Sequence, residues 1–231
     1  MSVSGLSSID AANVLSHRAP SKPSGEQVCA RCERLLASRT AIVLPTPCPP
    51  TGLLAIGEAP GAEEDWLGEG FVGQAGRVLD ALLVKHGLER NRDYGVANIV
   101  RCRPPGNRRP DKTEIANCLP WLASFLLECR PSVLLLVGAT ATEVFLGPGP
   151  LHWQIERSRN SPVLLAKDAH PILQPAIRAL HSLSGAVFAI PMPHTSGMAW
   201  NRRASNGKVW REIGEEQVEL AVECLEFSHA A

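Results

Sequence analysis

Short unbroken apolar runs alternate along this chain with longer segments of helical periodicity. Residues 53–56 (LLAI) are apolar without interruption and end in a Gly/Pro loop, which predicts a buried strand. Residues 75–86 (AGRVLDALLVKH) carry apolar positions at helical spacing, and Gly87 is placed to stop that helix. A second strand is predicted over residues 96–100 (VANIV), followed by the loop CRPPGNRRP. Residues 113–129 predict a helix with Asp111 or Thr113 as its cap and Pro131 beyond its end, kinked or restarted at Pro120. Residues 133–137 (VLLLV) predict a third strand, residues 139–146 a short helix ended by Gly147, and residues 151–186 a loop-rich segment. A fourth strand over residues 187–190 runs into Pro191-Met192-Pro193-His194, and residues 215–227 form a last amphipathic helix.

Strands that alternate with helices imply an α/β fold whose parallel sheet is covered on both faces. Such sheets bind ligands beyond the carboxyl ends of their strands. The topology therefore gathers on one rim Glu58 after the first strand, Asn98 near the end of the second, residues 102–107 behind it, and His194 after the fourth.

Residues 1–27 are rich in Ser and Pro and predict a mobile arm, leaving residues 28–231 as the folded domain. CARCERLLASRT predicts a short helix at the first cysteine pair, and LPTPCPPTG a stiff proline-rich linker. The 231 residues are 45% hydrophobic, suiting one domain with a full core, and no run reaches the length of a membrane span. The first twenty residues lack the charged start and apolar centre of a secretory signal, so a cytoplasmic location is expected.

Seven cysteines in that setting favour metal ligation over a disulfide framework. Cys129 and Cys224 fall in apolar helical patterns and read as ordinary buried thiols, and Cys48 as a loop thiol. The remaining four are Cys29 and Cys32 in CARC, Cys102 after the second strand and Cys118 in the next helix. Four thiolates suit zinc or an iron–sulfur cluster, and either would clip the N-terminal segment to the core. Net charge is zero, so global charge does not point to nucleic acid, but Arg101, Arg103, Arg108 and Arg109 cluster, and Arg202 and Arg203 follow His194. Phosphate contact is the expectation for these arginines.

Gly57-Glu58-Ala59-Pro60-Gly61 combines glycines, which let a backbone approach a ligand, with a carboxylate able to position water. Phe71 in GEGFVG offers a face on which a base stacks, and the amide of Asn98 can pair with a base edge. His194 stands at a strand's carboxyl end opposite the carboxylate loop.

GEAPGAEED, the GEGFVGQAGRVLD segment, NIVRCRPPGNR and the later helix cysteine together resemble family 4 uracil-DNA glycosylases, the iron–sulfur branch of that superfamily. The resemblance is close over residues 29–147 and looser beyond. It implies a three-layer α/β/α sandwich with a four-stranded parallel sheet, and a [4Fe-4S] cluster on Cys29, Cys32, Cys102 and Cys118 that staples the N-terminal segment. It implies that uracil is flipped out of single- or double-stranded DNA into the rim pocket and cut from its sugar in base excision repair. Phe71 would stack on the base, and Asn98 would read its N3 and O4 edge. Glu58 would orient the attacking water and stabilise a cationic sugar, while His194 would donate to O2 of the leaving base. Backbone N–H groups of the loop from Gly57 through Ala59 to Gly61 would help hold O2, and Asn107 would stand near the DNA. Glu64 matches a second acidic position, and Met198 or Trp200 would fill the gap left by the flipped base. The chain would act as a monomer, without a membrane and without covalent capture of the DNA.

The chain departs from the family pattern at its last motif, where His194-Thr195-Ser196-Gly197 replaces His-Pro-Ala. Alternatives are a glycosylase for another deaminated base, a non-catalytic DNA-binding module of the same fold, or a zinc-stapled α/β enzyme.

Overall fold

The computed structural model describes residues 28–47, 52–204 and 207–230. Four strands form its centre: β1 (Leu53–Gly57), β2 (Tyr94–Asn98), β3 (Val133–Val137) and β4 (Phe188–Met192). They lie in the order β2-β1-β3-β4 with every pairing parallel. Every strand position is buried, which is why the strands read as unbroken apolar runs.

Alternation along each strand sorts the side chains into two cores. Leu54, Ile56, Ala97, Leu134, Leu136 and Ala189 pack under α4 (Lys112–Cys129), α5 (Ala139–Leu146) and α7 (Gln174–Ser184). Leu53, Ala55, Tyr94, Val96, Leu135, Ile190 and Met192 pack under α3 (Gln74–Lys85) and α9 (Trp210–Ala230). The result is the expected three-layer α/β/α sandwich. The short α1 (Glu33–Leu36), α2 (Ala62–Leu67) and α8 (Gly197–Trp200) lie in the connections, and α6 (Leu151–Asn160) lies against β4. No helix among the described residues is long and apolar enough to cross a membrane.

Several expectations shift. β2 ends at Asn98, because Ile99 and Val100 donate to the carbonyls of Gly57 (2.9 Å) and Glu58 (3.0 Å) and follow the bend that leaves β1. Asp111 caps α4, accepting from the Glu114 N–H at 2.8 Å. That helix runs through Pro120 without restarting, since Ile115, Leu119, Leu122 and Leu126 hold both halves against the sheet. The segment 151–186 is largely helical: α6 is polar around most of its surface, whereas α7 begins at Gln174-Pro175 and carries an apolar stripe through Ala176, Ile177 and Leu180. Cys129 is disulfide-bonded and not a free thiol; its helical spacing correctly reported burial but carries no information on what the sulfur bonds. The predicted arm over residues 1–27 and the loop thiol Cys48 lie outside the described residues.

The N-terminal segment is tied down by hydrogen bonds of its own. Val43 and Thr46 donate to the carbonyls of Arg101 (2.8 Å) and Val96 (3.0 Å). The buried Asp65 of α2 accepts from the N–H groups of Thr40 and Ala41 at 2.8–3.1 Å.

Candidate active site

β2 and β3 flank β1, so the chain leaves the carboxyl ends of β1 and β3 in diverging directions. A crevice at such a point is where open α/β sheets bind ligands. A cleft of about 680 Å³ lies there, lined by Gly57, Glu58, Ala59, Phe71, Asn98, Asn107 and His194, among others. All the expected catalytic and base-contacting residues therefore share one cavity.

Asn98, the last residue of β2, is the register partner of Gly57, the last of β1. A Cβ added to Gly57 would stand 2.6 Å from Phe71 Cζ and 2.7 Å from Asn98 Oδ1. The aromatic ring and the amide thus meet over the bare Gly57 backbone, which explains the glycine. Glu58 accepts a hydrogen bond from the Thr140 hydroxyl, a buried group in the first turn of α5. The His194 ring packs on Gly138, the residue before that helix; a Cβ there would be 3.2 Å from His194 Cδ2.

The backbone N–H of Ser196 donates to His194 Nδ1 at 3.0 Å. Nδ1 is therefore an acceptor, and the neutral ring carries its proton on Nε2. Burial lowers the His194 pKa from its ordinary value, and the Glu58 charge offsets part of that shift. Thr195 Oγ1 donates to the Ala75 carbonyl at 2.7 Å and fastens the His194 loop to α3.

Glu64, whose role the sequence left open, bridges two loops: it accepts from the N–H of Gly61 (3.0 Å) and of Gly73 (2.7 Å). The Gly61 N–H is thereby occupied, which removes it from the set expected to hold uracil O2. Asn107 stands exposed at the rim with φ 55°, accepting from Arg103 Nε at 2.7 Å. Met198 is 89% exposed and lines the cleft, whereas Trp200 is buried against Gly214, where a Cβ would come within 2.3 Å of the indole. Of the two residues considered for the wedge, only Met198 is accessible. His170 is not part of the cleft lining.

The arginines expected to contact phosphate differ in how far they are engaged within the protein. Arg101 is buried, Arg108 pairs with Glu114 (2.6 Å), and Arg109 pairs with Glu143 (2.6 Å). Glu114 stands six positions from Arg108, and Glu143 stands 34 positions from Arg109. Arg202 and Arg203 remain exposed.

The four candidate cysteines come together from the N-terminal segment, the loop after β2 and α4. Burial raises the pKa of Cys32, Cys102 and Cys118, pushing Cys118 up to about 11, and Cys29 lies close enough to add a like charge to each. N–H donors surround the sulfurs: Arg39 Nη1 reaches Cys102 at 3.1 Å, the Arg101 N–H reaches Cys118 at 3.4 Å, and Asn117 Nδ2 reaches Cys32 at 3.5 Å. Among the described residues no group of three or more His, Cys, Asp or Glu converges as ligands of a metal ion do. Four thiolates are a ligand set for an iron–sulfur cluster as well as for zinc. N–H donors to the sulfurs are likewise a feature of iron–sulfur sites.

A family model described as the Uracil DNA glycosylase superfamily matches residues 44–216. A Type-4 uracil-DNA glycosylase of Thermotoga maritima is 35% identical over 150 residues, covering 64% of this chain and 76% of that protein. Type-4 uracil-DNA glycosylases of Pyrobaculum aerophilum and Archaeoglobus fulgidus are 38% identical over 95 residues and 41% over 91. Those two matches cover 41% and 39% of this chain, and 48% and 45% of the relatives. With the sheet order, the cleft and the cysteine set in place, these matches show that the chain belongs to the uracil DNA glycosylase superfamily, in its type-4 branch.

Proposed function

We propose that this protein is a monofunctional uracil-DNA glycosylase that hydrolyses the N-glycosidic bond of uracil flipped out of DNA, as the first step of base excision repair. One observation carries the reading: Glu58 and His194, from loops after β1 and β4, face the same cleft in which Phe71 and Asn98 meet over Gly57.

Breaking this bond develops negative charge on the base and positive charge on the sugar. Neutral His194 holds its proton on Nε2 and donates it as a hydrogen bond to uracil O2 while charge grows there. Glu58, held by Thr140, orients water and faces the cationic sugar. Phe71 stacks on the base, and the Asn98 amide, fixed at a strand end, pairs with N3 and O4. Cytosine presents the opposite donor pattern at those atoms, so the amide that satisfies uracil leaves cytosine unpaired. Ala59 and Asn107 complete the base and DNA sides of the cleft, and Met198 at the rim fills the stack after flipping. The described lining contains no lysine, so no Schiff base forms and the DNA backbone stays intact. The same reading has the chain acting as a monomer in the cytoplasm on single- or double-stranded DNA.

Cys29, Cys32, Cys102 and Cys118 would hold a [4Fe-4S] cluster. When bound it supplies a cross-link between the N-terminal segment and the core, since hydrolysis of this bond moves no electrons.

The test is release of uracil from a uracil-containing oligonucleotide, read as alkali-labile cleavage with iron-loaded protein. Uracil release that disappears in a Glu58→Gln, His194→Ala double variant supports the reading. Release that survives the double variant overturns the site, and none from the wild-type chain overturns the function.

A further inference from the structure

Phe71 has φ 58°, the left-handed region that a residue with a Cβ enters only when its surroundings impose it. Arg90 imposes it from behind. Its Nη1 donates to the Gly70 carbonyl at 2.7 Å and its Nη2 to the Phe71 carbonyl at 2.6 Å. The same guanidinium is held by Asp80 of α3, with Nε and Nη2 at 2.8–3.0 Å from the carboxylate oxygens. Asp80 in turn accepts from the hydroxyl of Tyr94, the fully buried first residue of β2. Burial, and then the hydrogen bond to Asp80, push the Tyr94 phenol well above its ordinary value, so it keeps its proton and stays a donor. On the other side α3 comes so close that a Cβ on Gly76 would stand 1.9 Å from the Phe71 oxygen.

Arg90, Asp80 and Tyr94 are all absent from the cleft lining. A chain of hydrogen bonds nevertheless runs from the sheet, through a helix, to the backbone that carries the ring over Gly57. A planar fork reaches two adjacent carbonyls and a carboxylate from separate nitrogens, whereas the three donors of an ammonium radiate from a single nitrogen.

We propose that Arg90, anchored by Asp80 and Tyr94, is a positioning residue that sets the height and tilt of the Phe71 ring and thereby the cleft's affinity for a uracil base. The proposal rests on the glycosylase reading above and deepens it: base affinity is set by three residues that never touch the base.

The experiment is a double-mutant cycle between Arg90→Lys and Phe71→Ala in the iron-loaded full chain. It reads kcat/KM for uracil release from a single-stranded oligonucleotide and the inhibition constant of free uracil. Arg90→Lys keeps the charge beside Asp80, and Tyr94→Phe offers a milder second variant if the lysine chain does not fold. Arg90→Lys in the wild-type background should weaken both quantities by about tenfold, and in the Phe71→Ala background by less than about twofold, because the ring it positions is gone. Tyr94→Phe should give a smaller loss with the same dependence on Phe71. Equal losses in both backgrounds, or no loss in either, overturn the positioning role and leave the glycosylase reading intact. A wild-type chain that releases no uracil overturns that reading and this role with it.

Discussion

Thr140 donates a hydrogen bond to the Glu58 carboxylate although the two residues stand 82 positions apart in the chain. The contact exists because β1 and β3 are neighbours in the sheet, so the loop after one strand meets the first turn of the helix after the other. A carboxylate at the cleft entrance has several rotamers, and a buried hydroxyl selects one of them.

Replacing Thr140 by Val removes that donor while keeping the shape. The expected result is a fall of about tenfold in the single-turnover rate of uracil release with KM within about twofold, since the proposed role of Glu58 is toward water and sugar, not base affinity. Stability should fall by about 1 kcal/mol, the usual size of one lost buried hydrogen bond. A change confined to KM would place Thr140 in substrate binding instead.

The strands, the parallel topology and the rim that carries Glu58, Asn98 and His194 were legible because each is a local signal: an apolar run, then a loop of distinctive chemistry. What the sequence concealed is pairing at a distance. Glu143 pairs with Arg109, 34 positions away, and Glu64, beyond its local cap on Gly61, reaches the N–H of Gly73. The helices α6 and α7 were missed for another reason. α6 is polar around most of its surface and packs at the sheet edge, so its periodicity is weak, whereas the apolar stripe of α7 was legible and its opening Gln174-Pro175 masked it as a loop.

Gly57→Ala tests the crossing of Phe71 and Asn98. The new Cβ would fall 2.6 Å from Phe71 Cζ and 2.7 Å from Asn98 Oδ1, inside van der Waals contact with both. The ring and the amide must move, so kcat/KM for uracil should fall by about a hundredfold, consistent with misplacement of about an ångström. Unfolding in urea should remain cooperative. Unchanged kcat/KM would mean that neither group reads the base from its present position.

Cys118→Ser tests the cluster. Cys118 sits on α4 while Cys29 and Cys32 sit on the N-terminal segment, so a shared cluster bridges the two. Iron per chain and visible absorbance should drop together, and residues 28–47 should become the first site of limited proteolysis. Full iron content in Cys118→Ser would remove this residue from the ligand set. Zinc in place of iron in the wild-type protein would change the cofactor without changing the cleft.

His194 sets the response to acid. Burial holds its pKa below the ordinary value of 6.5, and protonation would turn Nδ1 into a donor facing the Ser196 N–H, which itself donates. The neutral, Nε2-protonated ring should therefore persist as pH falls through 6.5, with the acid limb of uracil release below that value. The stability consequence has a definite sign. In the unfolded chain the ring takes up its proton near the ordinary value, while the folded chain resists it, so the unfolded state binds more protons between the two pKa values. Stability is then full above pH 6.5 and falls as pH drops from there toward the folded pKa, at about 1.4 kcal/mol for each unit separating them. His170, whose pKa burial also lowers, contributes in the same direction. The informative quantity is therefore the difference between the wild-type chain and His194→Gln. Urea unfolding at pH 8, 7, 6 and 5 should show that difference changing only across the acid steps, with the Gln variant losing less stability. Parallel losses in the two chains would mean that His194 titrates as freely folded as unfolded, and that it does not enter the reaction held neutral.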